Sequence, residues 1–321
     1  MTSQSDTSTS SVNSTSRSSV LGPDFFELNG LLADAIIEEC IPVLSKENLQ
    51  YLNDFDSVLY GSFITPESVS YIFTICARIR LPEDVKYFAV DIFDKFMCNQ
   101  TVLLHQLVSE SDVCSEEKWK IWGKSFTVLS RQLTLRICTA IQIASKIQSY
   151  HNSLSKTDIR KSLTALGFPY TQDTIMKSEL RMLSALDFSV ENCRSPSQHL
   201  ENYLALLLRN MPELQEKIDV VYRYGLFVID FVFLNRTVVY TEVLRLVYGE
   251  NPVKITTTSI RKVAQDYCLL GVAAGILGVV CTFGHFFDGE LISKMSRVSS
   301  LKENDIRDMV NGVLDTMAKS I

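Results

Sequence analysis

One stretch of the chain, residues 126–150, limits what the chain can fold into. Apolar or small side chains recur along it every three or four residues, and that period predicts one long helix with a buried face. The predicted face consists of Phe126, Leu129, Leu133, Ile137, Ala140, Ala144 and Ile147. Amphipathic patterns precede and follow this stretch, and their apolar sides need something to pack against. We therefore predict an all-α protein with this helix at the centre of a bundle.

The first half of the chain is predicted to contain five helices between residues 66 and 188. They begin at Thr65-Pro66, at Pro82-Glu83, at residue 126, at Ser155 or Thr157, and after Thr171. Residues 99–123 have an irregular pattern and are predicted to form a long loop, with at most a short helix at 102–107. Ahead of the bundle, residues 24–60 are predicted to hold one or two helices around Pro42. The fifth helix is predicted to turn inward the residues Ile175, Leu180, Met182, Leu183 and Leu186.

The second half repeats this organisation in outline. Its predicted helices cover residues 199–208, 214–233, 241–248, 259–283, 289–298 and 302–320. With 241–248 set aside as a connection, each half has its most apolar, alanine-containing helix third in line, which favours two copies of one helical unit. We predict four segments: a disordered Ser/Thr-rich tail at 1–22, N-terminal helices at 23–62, a first helical domain at 63–192, and a divergent second at 193–321.

Charge and cysteine content argue against two classes of function, nucleic-acid binding and zinc binding. The net charge of −6 and the pI near 5.4 argue against general nucleic-acid binding, which needs a basic surface. The eight cysteines include no Cys-X-X-Cys pair, so a zinc ribbon is not expected. Without a signal peptide pattern, we expect a reducing compartment, the cytosol or the nucleus.

Residues 268–287 need a membrane test, because these twenty residues contain no Asp, Glu, Lys or Arg. That length can span a bilayer. Four glycines and His285 within the run, and Asp266 and Asp288 beside it, are also typical of a tightly packed helix in a water-soluble bundle. We favour the bundle helix and predict no membrane partner.

Patterns that carry catalysis are missing from the sequence. It contains no GxSxG, GxxxxGK[ST] or GxGxxG, and its four histidines are dispersed outside any zinc pattern. We therefore expect a binding protein, without enzymatic activity, cofactor or metal.

Two charged residues stand out on otherwise apolar helical faces. Lys146 ends an Ala-Ser-Lys run in the central helix, and Glu179 lies nine residues before Phe188. The second helix contains Ala89-Val90 followed by Phe93-Asp94-Lys95-Phe96, and Leu135 lies eleven residues before Lys146. In these features the sequence resembles the cyclin box. The resemblance implies a cyclin fold, with a five-helix box followed by a second, divergent helical box.

The resemblance also implies a site. Lys146 and Glu179 would hydrogen-bond the backbone of a cyclin-dependent kinase near its regulatory helix, inside an apolar ring formed by Ile143, Ile147, Leu183 and Phe188. Asp94 and Leu135 would be structural positions of the family.

Three features depart from the family pattern. The hydrophobic motif of the first helix would fall on residues 64–68, which read Ile-Thr-Pro-Glu-Ser. Thr65 takes the place of the arginine that pairs with Asp94 in the family, and the loop at 99–123 is longer than usual. These departures argue against substrate docking through the first helix and leave kinase activation open.

Part of the resemblance is to a branch of the family that acts in meiotic prophase. The matching residues are Thr134-Leu135-Arg136, residues 142–146 and 165–168, Ser178-Glu179-Leu180, Leu183, Leu186 and Phe188. This branch implies a nuclear protein of meiotic chromosomes that promotes the maturation of crossover intermediates. The implied partners are a cyclin-dependent kinase and, as a second class, pro-crossover RING-type ligases and other recombination proteins.

Three alternatives stay open. The chain could be a cyclin-fold scaffold that recruits recombination proteins or ubiquitin/SUMO ligases without activating a kinase, and the missing first-helix motif favours that hypothesis. A cyclin-fold DNA binder is disfavoured by the acidic charge, and a membrane protein would have to use residues 268–287.

Overall fold

The structure, a computed structural model, describes residues 31–54, 59–148, 153–190, 194–249, 254–284 and 289–320. These residues form fourteen α-helices and no strand, which confirms the predicted all-α class. The predicted disordered tail at 1–22 lies outside them. In chain order the helices are α1 (Leu31–Asp54), α2 (Pro66–Ile79), α3 (Glu83–Glu110), α4 (Ser115–Arg131), α5 (Leu133–Gln148), α6 (Lys156–Ala165), α7 (Gln172–Ala185), α8 (Pro196–Asn210), α9 (Ile218–Leu234), α10 (Arg236–Tyr248), α11 (Thr257–Val263), α12 (Tyr267–Phe283), α13 (Gly289–Ser299) and α14 (Glu303–Lys319).

Helix α5 is the centre of the first half. Every residue from Leu135 to Ser145 is buried, and α5 packs against α2, α3, α6 and α7. The predicted position of this helix is confirmed, but its predicted start at residue 126 is wrong. The chain leaves helical geometry at Gln132, with φ −95° and ψ 4°, so residues 126–131 belong to α4 instead. No glycine or proline marks this break in the sequence, and the apolar period runs on across it.

The loop predicted at 99–123 is also wrong, because this region is mostly helical. Helix α3 continues to Glu110, and α4 begins at Ser115 after a short turn. The two helices form a hairpin, which we call the α3–α4 arm (residues 99–131). Lys118 of α4 donates through Nζ to the carbonyl oxygen of Ser109 at 2.7 Å. The rings of His105 and Trp122 meet edge to face at 6.1 Å, so one side of α4 lies on α3.

Helix α12 is the centre of the second half and packs against α8, α9, α13 and α14. The single helix predicted at 259–283 is divided into α11 and α12, which meet at 67°. Asp266 causes the new start, since its carboxylate accepts from the Leu269 N–H at 2.9 Å and caps α12. No single described helix is long and apolar enough to cross a membrane; α11 and α12 reach that length and composition only as a bent pair.

Helix α1 and one arginine connect the two halves. Helix α1 runs through Pro42 without ending there, and it packs on α8, α12 and α13 of the second half. Arg194 follows the first half, and its Nη1 donates to the Asn48 side chain of α1 at 2.9 Å. Its Nη2 donates to the Gln265 carbonyl at 3.2 Å. The halves therefore share one continuous core around this linker.

Candidate partner-binding site

Lys146 and Glu179, which the sequence singles out, lie together in the structure. Lys146 is in the last turn of α5 and Glu179 is in the middle of α7, where their side chains form an ion pair. The Lys146 side chain is 41% exposed and that of Glu179 is 12% exposed. Gln142, one turn before Lys146, reaches the second carboxylate oxygen of Glu179 at 3.5 Å. The Lys146–Glu179 ion pair is therefore covered by protein on one side and open to solvent on the other.

A buried polar contact sets the rotation of α7 that brings Glu179 to this position. The Ser178 hydroxyl is 2.7 Å from the Thr139 hydroxyl and accepts from the Arg136 guanidinium at 2.7 Å, both from α5. Buried polar groups need partners, so this contact fixes which side of α7 faces α5. Ile175, Ser178 and Met182 therefore form the buried side of α7. The predicted inward position of Leu180 is wrong, since Leu180 is 59% exposed.

The four predicted ring residues differ in exposure. Ile143 is buried at 3% exposure and contributes packing beneath the ion pair. Leu183 is half-buried against the core. Ile147 is 40% exposed and Phe188 is 58% exposed, and these two present apolar surface to solvent.

Phe188 owes its position to the way α7 ends. Asp187 and Phe188 both adopt positive φ, at 51° and 57°, which is uncommon outside glycine. The Phe188 N–H donates to the Leu183 carbonyl at 2.9 Å, closing the last turn of α7. Residues held in such backbone conformations are often found where a side chain must be presented for function.

Sequence reasoning missed two further apolar residues next to Glu179. Met176 is 45% exposed and Leu180 is 59% exposed, and both lie on α7 within four residues of Glu179. The spacing of Met176, Leu180 and Leu183 was a usable signal, because it defines a second apolar stripe separate from the one containing Ile175 and Met182. A helix in this bundle has one core-facing side, so a second stripe indicates a surface for a partner.

A cleft of about 1030 Å³ continues from this surface towards α1. Ile147 and Asp187 line its near end, and Tyr51, Lys95 and Arg194 line its wall. The Arg194 guanidinium lies 3.6 Å from the centroid of the Tyr51 ring. At its floor, His199 is buried, and burial together with Arg194 lowers its pKa to about 3, so the imidazole is neutral.

The two predicted structural positions are both buried. Leu135 is 3% exposed on α5. Asp94 is 2% exposed, and its carboxylate accepts from the N–H groups of Gly61 and Phe63, the latter at 2.8 Å. Burial raises the pKa of Asp94 to about 6, although these N–H groups and Arg236 oppose the shift. The arginine expected to pair with Asp94 is missing from the sequence. Backbone N–H groups hydrogen-bond to the Asp94 carboxylate in its place.

Thr65, which stands in the place of that arginine, has a local role in α2. Its hydroxyl accepts from the Ser68 N–H at 3.3 Å, and the Ser68 hydroxyl accepts from the Thr65 N–H at 3.1 Å. This is a capping box. Among the described residues, no group of three His, Cys, Asp or Glu side chains is placed to hold a metal ion.

Comparison with known proteins gives two results. The family model "Cyclin, N-terminal domain" matches residues 50–191. Two curated relatives are both called cyclin N-terminal domain-containing protein 1. The Homo sapiens protein is 26% identical over 247 residues, covering 76% of this chain and 73% of the relative. The Mus musculus protein is 24% identical over 299 residues, covering 89% and 84%.

Proposed function

We propose, from the premise that this chain belongs to the cyclin family, that it binds a cyclin-dependent kinase as a non-catalytic regulatory subunit. The matched domain includes Lys146 and Glu179, and cyclin-family domains are generally regulatory. The observation that carries the proposal is the partly open ion pair beside exposed Ile147, Leu180 and Phe188. Helices α5 and α7 bury their other sides in the core, and these three side chains leave apolar surface open to solvent.

The chemistry of the pair suits the backbone of a partner helix. Glu179 can accept from free N–H groups, and Lys146 can donate to free carbonyl groups. Charge-assisted hydrogen bonds give specificity in a desolvated interface, while the apolar neighbours supply most of the buried area. A kinase whose regulatory helix fits this surface only in its active position would be shifted towards that state.

A charge swap tests the proposal without removing the ion pair. In Lys146→Glu with Glu179→Lys, the two side chains can still attract each other, but a partner meets reversed charges. We expect wild-type protein to co-purify with a cyclin-dependent kinase from germline tissue, and the swapped variant to lose it. The matched control is the swap of an exposed pair on α13, Glu290→Lys with Lys294→Glu, whose wild-type side chains are 3.1 Å apart. That control should retain the kinase.

Two results would contradict kinase binding through this face. One is the absence of any kinase from the wild-type sample, and the other is equal recovery with the wild type and the Lys146/Glu179 swap. Circular dichroism of each variant checks that the fold survives.

We further propose that the protein acts in the nucleus on meiotic chromosomes, where it promotes the maturation of crossover intermediates. The similarity to cyclin N-terminal domain-containing protein 1 supports this role. Tagged protein should form foci on prophase chromosomes, and its loss should lower the number of crossovers. Unchanged crossover numbers in a null mutant would rule the role out.

The alternative is a cyclin-fold scaffold that recruits RING-type ligases or other recombination proteins without activating a kinase. The start of α2 favours it, because Ile64 is buried and Thr65 and Ser68 are used in the capping box. That region lacks the exposed apolar patch of the family motif. The scaffold hypothesis predicts that the Lys146/Glu179 swap retains all co-purifying proteins, and that no kinase is among them.

A further inference from the structure

The α3–α4 arm is helical without contributing to the core. None of residues 99–131 is fully buried, although α3 and α4 form helix through most of this range. Burial of an apolar face is what normally stabilises a helix in a protein. The monomer supplies little of that burial to the arm, so its exposed apolar side chains are available to a partner.

Two hydrogen bonds fix the base of the arm to α7. The Asn99 side chain donates through Nδ2 to the Ala185 carbonyl oxygen at 2.9 Å. The Arg181 side chain donates through Nη2 to Oε1 of Gln100 at 3.1 Å. Ala185 and Arg181 both belong to α7, the helix that carries Glu179. The arm therefore begins beside the proposed kinase site and has a defined orientation relative to it.

Two exposed leucines continue from this base along α3. Leu103 is 49% exposed and Leu107 is 60% exposed. They lie three and seven residues after Gln100, so all three side chains share one side of α3. Because Gln100 meets Arg181, this side of the arm borders the outer face of α7, where Leu180 is exposed. The two leucines thus extend the apolar surface of α7 outward along the arm.

The other side of the arm is turned away from α7. His105 lies two residues from each of the two leucines, which is about half a turn around α3. Its ring contacts that of Trp122, and Trp119 lies three residues before Trp122 on the same side of α4. Trp119, which is 75% exposed, is therefore on the His105 side of the arm. The arm has two distinct apolar surfaces, and only the leucine surface borders α7.

The leucine surface is too small to hold a partner by itself. Stable interfaces bury about 800 Å² on each partner, over roughly 20 to 30 residues. The occupant is therefore a protein that is already bound next to the arm, and the neighbouring surface is the one that carries Glu179. Gln100 and Gln106, which flank the leucines, have no charge, so the surface suits apolar side chains of that protein.

We infer that Leu103 and Leu107 form a second contact for the kinase that binds at Lys146 and Glu179. This inference rests on the proposed kinase binding and adds a determinant of partner choice. The loss of translational and rotational freedom is met once for the whole complex, so a second contact on the same rigid surface adds affinity efficiently. A kinase with apolar side chains next to its regulatory helix gains this contact, and a kinase with charged side chains there is rejected.

Binding measurements with purified proteins test the inference. The probe is the cyclin-dependent kinase that mass spectrometry identifies in the wild-type co-purification, produced as purified protein. Leu103→Gln with Leu107→Gln should raise its dissociation constant by about tenfold, because two apolar side chains are no longer buried on binding. Glutamine has nearly the helix propensity of leucine and both positions are exposed, so the monomer should stay folded. The circular dichroism spectrum and the urea midpoint check this.

The matched control is Trp119→Gln, which removes a larger apolar side chain from the opposite side of the same arm. It should change the dissociation constant by less than about twofold. Wild-type affinity in the leucine variant, while the Lys146/Glu179 swap still loses the kinase, would overturn the second contact and leave the proposed function standing. Equal weakening by Trp119→Gln would also contradict it, since the arm would then bind without regard to side. A wild-type chain that recovers no kinase would end both proposals.

Discussion

The side chains of Lys146 and Glu179 meet across α5 and α7, although 33 residues separate them in the sequence. Only one of the two is well covered, since the Lys146 side chain is 41% exposed and that of Glu179 is 12% exposed. An ion pair with one open partner is a poor source of stability, because water and salt screen it. Its position beside exposed apolar side chains is better explained by binding than by folding.

The contribution of the Lys146–Glu179 ion pair to folding stability can be measured. Lys146→Ala should lower the free energy of unfolding by about 0.5 kcal/mol or less, because the exposed ammonium is already partly solvated in the wild type. Urea denaturation, followed by circular dichroism, gives the value. If the loss exceeds about 2 kcal/mol, the pair is a folding contact, and loss of partner binding by its variants could not be assigned to the interface.

Removal of Arg194 should have a much larger effect on stability. Its guanidinium donates to Asn48 and Gln265 and stacks on the rings of Tyr51 and Tyr267, at 3.6 and 4.8 Å from their centroids. Arg194→Ala should lower the free energy of unfolding by about 3 kcal/mol. It should also increase protease cleavage within α1, because Asn48 loses its hydrogen bond to the Arg194 guanidinium.

The conservative variant sharpens this prediction. Arg194→Lys should recover little of the loss, since an ammonium cannot make the same forked contacts or stack flat on an aromatic ring. Arg223→Ala is the control: among the described residues, this exposed α9 side chain donates to the Asp219 carbonyl of its own helix and to nothing else, and the change should stay within about 0.5 kcal/mol. Wild-type stability in Arg194→Lys would show that charge alone suffices.

The carboxyl group of Glu201 should make stability depend on pH. It accepts from the Tyr222 hydroxyl at 2.7 Å and faces half-buried Asp84; burial and the charge of Asp84 raise its pKa from about 4.5 to about 7. The folded state therefore holds a proton that the unfolded state has released. The stabilisation is complete below about pH 4.5 and is lost as the pH rises through about 7.

Glu201→Gln removes this dependence and keeps the shape of the side chain. Between pH 5 and 7, the wild type should lose stability relative to this variant by up to about 1.4 kcal/mol per pH unit. The comparison cancels the contributions of Asp94 and His199, which are present in both proteins, so the difference reports the interacting pair of Glu201 and Asp84. The exposed Glu216→Gln should keep the wild-type slope, and an equally steep slope in Glu201→Gln would show that another group binds the proton.

The sequence was sufficient where local chemistry determines structure. Thr65, Ser155 and Thr171 were all predicted helix starts, and each caps its helix through a side-chain oxygen. The meeting of Lys146 with Glu179 followed from the family resemblance. Other features of the fold depend on three-dimensional packing, which the sequence pattern does not show.

The rotation of α7 and the break at Gln132 were not readable from the sequence. Helix α7 has two apolar stripes, and only the contact of Ser178 with Thr139 and Arg136 decides which stripe faces α5. The break between α4 and α5 lacks a breaker residue, because it depends on α4 folding back onto α3. The loop predicted at 99–123 is mostly helical, and none of residues 99–131 is fully buried, so no core-facing period marks the helices of the α3–α4 arm in the sequence.

Helix α12 offers a comparison of two glycines in one helix. Gly278 lies against the backbone of α9: an added Cβ would be 2.5 Å from the Val221 carbonyl oxygen and 3.3 Å from the Gly225 nitrogen. Backbone cannot move aside as a side chain can, so Gly278→Ala should push α9 and α12 apart. The expected loss is about 2 to 3 kcal/mol of stability, and it should be visible as a lower midpoint in urea.

Gly275, one turn earlier, should respond in the opposite direction. The nearest atom to an added Cβ is Cδ1 of Leu200 at 3.5 Å, which is ordinary contact distance. Gly275→Ala therefore removes the conformational cost of glycine in a helix without a clash, and we expect a gain of about 0.5 to 1 kcal/mol. Because both substitutions add the same methyl group to the same helix, their difference isolates the contact with α9. Equal effects of the two would mean that α9 and α12 do not approach as closely at Gly278 as the structure has them.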